Sequence, residues 1–127
     1  MALVSVARLL GASLLVGAAV QPAVAAPVAK PADFAICGVC HKVAAGDKPT
    51  IGPNLFGVAG RKAGTSAGYT YSPAMKNSNI TWTRDQLTAF ITAPQAKVPG
   101  TKMAFAGQKD PKKAAAGRHH AYLSDIT

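Results

Sequence analysis

Cys37-Gly38-Val39-Cys40-His41 is the stretch on which the reading of this chain turns. It has the form C-x-x-C-H, the pentapeptide at which c-type haem is attached. The spacing has a physical reason. Two thiols three residues apart on a helical turn can each add to one vinyl group along a single edge of a porphyrin. The next residue, His41, then brings its imidazole to the iron from the same face. One short helical segment thus fixes the ring covalently and fills one axial position. Phe34, Cys37, Gly38 and His41 recur at i, i+3, i+4 and i+7, which is one face of such a segment. Other uses of the two cysteines fit poorly. A redox C-x-x-C belongs at a strand-to-helix junction, and no strand pattern is present. A zinc site needs two more ligands, and His119 and His120 are adjacent rather than roughly three to five residues apart. A disulfide closing so short a loop would be strained.

Composition agrees with a stapled domain. The chain has 127 residues, enough for one domain, and aromatic residues make up only 6% of it. So thin a set of large side chains needs a staple, and a covalent cofactor is one. Two cysteines exclude a multi-disulfide scaffold and an all-cysteine zinc or iron–sulfur site. Residues 1–25 read as a secretory signal peptide. Arg8 is the positive start, Leu9 to Val20 is an uncharged apolar run, Gln21-Pro22 breaks it, and Ala23-Val24-Ala25 is a small-x-small cleavage site. The run is too short for a membrane span, which needs about 20 apolar residues. The expected organisation is a signal peptide over 1–25, cleaved near Ala25, and a mature periplasmic domain over 26–127. The full chain carries 14 Lys and Arg against 5 Asp and Glu, a formal charge of +9. On an exported chain that excess suits acidic protein surfaces or anionic lipid. Nucleic acid is not expected, because no Lys/Arg run exceeds two residues and no basic-aromatic interleaving occurs.

The mature chain reads as all-α with long loops. Residues 26–31 are a Pro/Ala leader with no fixed structure expected. From Val43 to Tyr71 the chain is loop, with a turn or two of helix near Asn54 to Gly57. Ser72-Pro73 opens a short helix to about Lys76. Thr83-Arg84-Asp85-Gln86 is a capping box, and the helix it opens buries Leu87, Phe90 and Ile91 until Pro94 stops it. Residues 94–109 read as loop. Asp110-Pro111 opens a C-terminal helix to about Asp125. Loops this long between short helices make sense if they wrap something that is not protein. The second axial ligand is open on these grounds alone. Met75, Met103, His119 and His120 are the candidates, or no protein ligand at all, with Met75 more in keeping with core filling and the two histidines with solvated side chains.

The sequence resembles the class I cytochromes c of the mitochondrial and bacterial c2 type. The resemblance rests on Cys37-Gly38-Val39-Cys40-His41, Gly52-Pro53-Asn54-Leu55-Phe56-Gly57, Gly60-Arg61-Lys62-Ala63-Gly64, Tyr69-Thr70-Tyr71-Ser72, Ile80-Thr81-Trp82 and the run from Pro99 to Gly107. It spans about residues 33–113, in family order and with family spacing. It implies the cytochrome c fold around one covalent haem c, with Cys37 and Cys40 as attachment residues and His41 and Met103 as axial ligands. It further implies that the Pro53 carbonyl accepts a hydrogen bond from His41. Tyr71, Trp82 and Arg61 would lie about a haem propionate, Thr101 and Phe105 would join the haem pocket, and Gly52, Gly64 and Gly100 would occupy tight turns. Lys42, Lys48, Lys97, Lys102, Lys109, Lys112 and Lys113 would ring the exposed haem edge and meet acidic faces of membrane redox complexes.

The implied function is that of a monomeric, soluble one-electron carrier between respiratory or photosynthetic complexes, not an enzyme, with no small-molecule substrate. A small haem enzyme such as a peroxidase, with an open iron position, is the alternative. An anchored form retaining the leading segment is another. Three departures stand out. Phe90 takes the place of a tyrosine that bonds the methionine sulfur, and Met75 that of an asparagine beside a buried water. In the C-terminal helix, Gly117 lowers helix propensity, and Arg118 and His119 fall on the stripe that should pack against the attachment helix. That helix is therefore expected to be the weakest of the domain.

Overall fold

The computed structural model describes Gln21, residues 26–115 and residues 118–126. Apart from Gln21, the signal-peptide reading lies outside the described residues, and so does the expectation placed on Gly117. Among the described residues the fold is helical, with one isolated β-bridge between Lys62 and Thr81 and no strand. No helix among them is long and apolar enough to cross a membrane.

Pro31 carries a fixed, extended backbone into a 3-10 turn, Ala32–Phe34, which runs directly into α1, Ala35–Gly38. The helical turn continues past α1 through the Cys37 carbonyl, which accepts from the backbone N–H groups of Cys40 (3.1 Å) and His41 (2.9 Å). α2, Pro73–Lys76, begins where the Ser72 hydroxyl accepts from the Met75 N–H, with Pro73 in the first turn. α3, Arg84–Thr92, is capped by Thr83, whose hydroxyl accepts from the Gln86 N–H. Only half of the expected capping box forms. The Gln86 side-chain oxygen is buried without a partner, and the Thr83 N–H bonds the Thr81 carbonyl at 2.7 Å instead.

Two expectations are corrected here. Residues 54–57 form turns, not helix. Asn54 accepts from the Phe56 N–H at 2.8 Å and donates to the carbonyls of Ala44 and Asp47, and Gly57 takes φ +65°, which an α-helix does not allow. Residues 94–109 are not all loop, because Pro94 begins α4, Pro94–Lys97. Ala93 breaks the direction with φ −152°, and proline then serves as the first residue of the new turn. The C-terminal segment is described as α5, Pro111–Ala115, and α6, Arg118–Asp125. Asp110 caps α5 as read, accepting from the Lys112 N–H at 2.9 Å.

The core is one cluster about Phe34, Trp82, Leu87, Phe90, Tyr122 and Leu123. Phe34 is 1% exposed and meets the Tyr122 ring edge-on at 4.9 Å, so the segment before the attachment motif is sealed against α6. Trp82 lies against Phe90 at 5.1 Å. The leader is more ordered than expected. Val28 donates its N–H to the Asp125 carboxylate at 2.9 Å, and the Lys30 ammonium sits 5.6 Å from the centre of the Phe34 ring. Replacing Phe34 by Ala should lower the stability of the haem-loaded protein by about 3–5 kcal/mol, the usual cost of truncating a buried aromatic. Denaturant unfolding followed at 222 nm checks this, and a loss below about 1 kcal/mol would mean the seam with α6 closes without Phe34.

Candidate haem site

α1, the 51–58 loop, α3 and the 101–105 loop enclose a cavity of about 450 Å³. Cys37, Cys40 and His41 reach it from one side, and both cysteines are free and half-buried. Burial, reinforced by the negative charge of Asp33, holds the Cys37 thiol above its ordinary range.

His41 is fixed by Pro53, whose carbonyl lies 2.8 Å from Nδ1. A carbonyl only accepts, so Nδ1 carries the proton and Nε2 keeps its lone pair for an electrophile. Burial pushes the imidazole below its ordinary pKa, opposed by the bond to Pro53. Burial thus favours the neutral form, the one that ligates a metal. Gly52 completes the seat. It is not a left-handed turn residue, as Gly64 (φ +76°) and Gly100 (φ +89°) are. A β-carbon there would stand 2.5 Å from Cε1 and 2.7 Å from Nδ1 of His41. The glycine is required by clearance rather than by a positive φ.

Met103 is half-buried and lines the same cavity from a separate loop. That loop is held by Gln95, whose side-chain amide donates to the carbonyls of Thr101 (3.0 Å) and Met103 (3.2 Å), and by Lys102, whose ammonium donates to the Thr70 carbonyl at 2.8 Å. Met75 also reaches the cavity, but it is 6% exposed and packed into the core, as a filling methionine should be. Phe90 lines the cavity and brings no hydroxyl to it.

Tyr71, Trp82, Thr101 and Phe105 all line the cavity, as does Arg61. Arg61 donates to the carbonyls of Phe56 (2.9 Å) and Asn54 (3.1 Å), which locks its guanidinium in place. The Tyr71 hydroxyl accepts from the Ser66 N–H at 3.3 Å and retains its own hydrogen to donate. Of the seven lysines, only Lys102 belongs to the cavity wall. Lys42, Lys109, Lys112 and Lys113 are exposed and Lys97 is half-buried. Lys48 borders a second, open depression with Asn54 and the far side of Arg61.

His119 is the main correction among the candidate residues. It is not solvated but 6% exposed, with Nε2 3.4 Å from the Asp33 carboxylate and Nδ1 buried without a partner. Its ring lies 6.3 Å from Phe34 and reaches the cavity wall. The side chains of Arg118 and His120 lie outside the described residues. Gly52 and His119 are the residues whose part in the site sequence reasoning missed. Gly52 left no sequence signal beyond its place in a Gly-Pro pair, whereas His119 lies on the packing stripe of the C-terminal helix and only its partner, Asp33, had no signal.

The donor set fits a covalent haem. Two thiols, an imidazole with its outer nitrogen committed, and a thioether converge on an apolar cavity. No family model matches the chain. Individual relatives do. It is 50% identical over 93 residues to cytochrome c2 of Rhodoblastus acidophilus, covering 73% of this chain and 85% of that one. It is 47% identical over 100 residues to cytochrome c2 of Blastochloris viridis, covering 78% and 79%. Cytochrome cH from Methylobacterium extorquens superposes with a TM-score of 0.65 at 45% identity, over 71% of this chain and 88% of that one. The chain belongs to the cytochrome c2 family of class I cytochromes c. A cytochrome of this family is an electron-transfer protein, not an enzyme; it carries one covalent haem c and works with redox partner complexes.

Gly52→Ala should force the His41 ring out of its seat, whereas Gly38→Ala, with open space around its β-carbon, should be tolerated. In the haem-loaded proteins, the first should weaken the iron–histidine bond and the fold together, and the second should leave the spectrum as in the parent. Resonance Raman of the iron–ligand modes with thermal unfolding reads both, and an unaltered Gly52→Ala protein would exclude the clearance argument.

Proposed function

We propose that this cytochrome is a soluble periplasmic one-electron carrier, with Cys37 and Cys40 holding the haem, His41 and Met103 as its axial ligands, and lysines about the haem edge as its docking charge. The observation that carries the assignment of ligands is the meeting of His41, with Nδ1 committed to Pro53, and Met103 on one apolar cavity. The haem supplies an iron that cycles between ferric and ferrous states. The chain's part is to keep everything else still. Pro53 fixes the His41 tautomer and orientation. Gln95 and Lys102 hold the Met103 loop, and a soft thioether favours ferrous iron and raises the potential. Arg61, Tyr71 and Trp82 line the cavity and would lie about a haem propionate, Arg61 offsetting its charge. Thr101 and Phe105 close the wall beside Met103.

Export by the 1–25 segment, with cleavage near Ala25, leaves a chain whose bases outnumber its acids by 13 to 5. Such a field steers the carrier to acidic faces of its partners, a quinol-oxidising cytochrome complex on one side and a terminal oxidase or reaction centre on the other. With His41 and Met103 both as ligands no iron position would be left open, so the reading as a small haem enzyme is not favoured.

Two experiments test this. In the haem-loaded protein, Met103→Ala should open the iron to cyanide, lower the potential and abolish the weak red iron–methionine band, while Met75→Leu should keep that band. The opposite pattern would exchange the two methionines. Electron exchange with a membrane complex should slow as salt rises, since screening shortens the field to about 8 Å at physiological ionic strength. Lys102→Glu should slow it more than Lys30→Glu, and equal effects would reduce the lysines to ordinary surface charge.

A further inference from the structure

Met103 stands on a piece of chain that has no ladder of its own. Among the described residues, the backbone from Lys102 to Gly107 makes no hydrogen bond to other backbone. The nearest ones flank it, from the Thr101 N–H to the Val98 carbonyl at 3.0 Å and from the Gln108 N–H to the Ile91 carbonyl at 2.9 Å. Side chains hold what lies between. The Met103 N–H donates to the Thr101 hydroxyl at 3.4 Å, a long and weak bond within the same loop. The Lys102 ammonium reaches Thr70, but its flexible four-carbon stem lets the backbone shift while that bond stays made. The Met103 carbonyl accepts from the Gln95 amide nitrogen at 3.2 Å, and the same nitrogen donates to the Thr101 carbonyl at 3.0 Å. Among the described residues, Gln95 is thus the one residue of another element that bonds the Met103 backbone. Its own base is firm, since it follows the fully buried Pro94 at the start of α4. Both contacts are donations from N–H to a carbonyl, so the amide oxygen of Gln95 has no part in them.

We propose that Gln95 is the positioning residue of the second axial ligand: its amide nitrogen, bridging the carbonyls of Thr101 and Met103, sets how often the Met103 thioether leaves the iron and so keeps small ligands from solvent out. This rests on the reading of Met103 as a ligand. A thioether whose loop is held in place rebinds as an intramolecular partner, ahead of a dilute ligand arriving from solution. Lasting release therefore needs the loop to move, and the loop moves by breaking its bonds to Gln95. Those bonds lie at or near the surface, where water competes for both groups, so their effect is on the population of an opened loop and not on the survival of the fold. The polarity of the contact is what matters. Two carbonyls face position 95, so a donor there closes the loop and an acceptor there opens it.

The test mixes the ferric, haem-loaded protein with rising concentrations of unprotonated imidazole and follows binding by stopped flow. Imidazole takes the iron position that Met103 gives up, so the rate levels off at the rate of Met103 departure. The ligand is uncharged, so that plateau is insensitive to the charge placed at position 95. Gln95→Leu removes the donor, and Gln95→Glu keeps the shape but turns an ionised carboxylate, an acceptor only, toward the two carbonyls. Each should raise the plateau roughly tenfold, a factor equal to about 1.4 kcal/mol and of the order of one net hydrogen bond. Gln95→Lys restores a donor on a long stem and should return the plateau to within about twofold of the parent. The iron–methionine band should persist in all three variants before imidazole is added, because Met103 is still bound for most of the time. Plateau rates unaltered by both Leu and Glu would overturn the proposal. So would a Lys variant that opens as fast as the Leu variant, since a merely structural part in the α4 turn would suffer from all three substitutions alike. A parent protein without the iron–methionine band would overturn Met103 as a ligand, and the clamp with it.

Discussion

Carrying two thiols and an imidazole to one face within five residues leaves the chain with a hollow that its own side chains do not fill. The rest of the architecture answers to that. A domain of this size would ordinarily close its helices on one another. Here the aromatic and aliphatic residues form a wall around a cavity of about 450 Å³, and several members of the core, Met75, Trp82, Leu87 and Phe90 among them, face it directly. Long loops follow, because a flat, rigid guest is better enclosed by chain that can bend at every few residues than by straight helices. The hydrogen bonds that matter most are consequently side chain to loop backbone. Asn54 gathers three partners, Arg61 binds two carbonyls and Gln95 two more. They give irregular chain the rigidity that ladders give to regular elements.

What could be read from sequence was what local chemistry dictates. The attachment pentapeptide, the Ser72 and Thr83 caps, the prolines that follow or open helices, and the apolar face of α3 are all decided within a few residues. The pocket residues named by resemblance line the cavity. What sequence did not give was decided at a distance. Asn54 to Gly57 has the composition of a helical turn, but the Asn54 side chain satisfies carbonyls of the 44–47 loop, and that competes successfully with helix. Pro94 reads as a stop until Ala93 is seen to turn the chain, after which the same proline starts a new helix. Gly52 serves a ring eleven residues earlier, and His119 finds Asp33 from the far end of the chain. Neither relation has a period or a motif.

His119 also shows how the fold absorbs an awkward substitution. A histidine on the stripe that packs against the attachment segment is expected to loosen that packing. It is instead buried, with one nitrogen near a carboxylate and its face toward Phe34. The unpartnered Nδ1 is the residual cost, since a buried polar atom without a partner loses its hydration for nothing. The seam between the beginning and the end of the chain is thus partly polar, where hydrophobic closure alone would have served.

That seam has a topological consequence. The Val28 N–H touches the Asp125 carboxylate, and the Phe34 ring touches Tyr122, so the two ends of the described chain lie side by side. A chain with adjacent ends is close to a closed ring, and its ends are a matter of where synthesis happens to begin. A short linker joining residue 126 to residue 27, with a new break in the exposed 44–48 loop, would give a circular permutant in which the segments from Gly52 to Met103 keep their order. The attachment pentapeptide would then sit near the carboxyl terminus, and the last part of the chain to leave the ribosome would be the part that receives the haem.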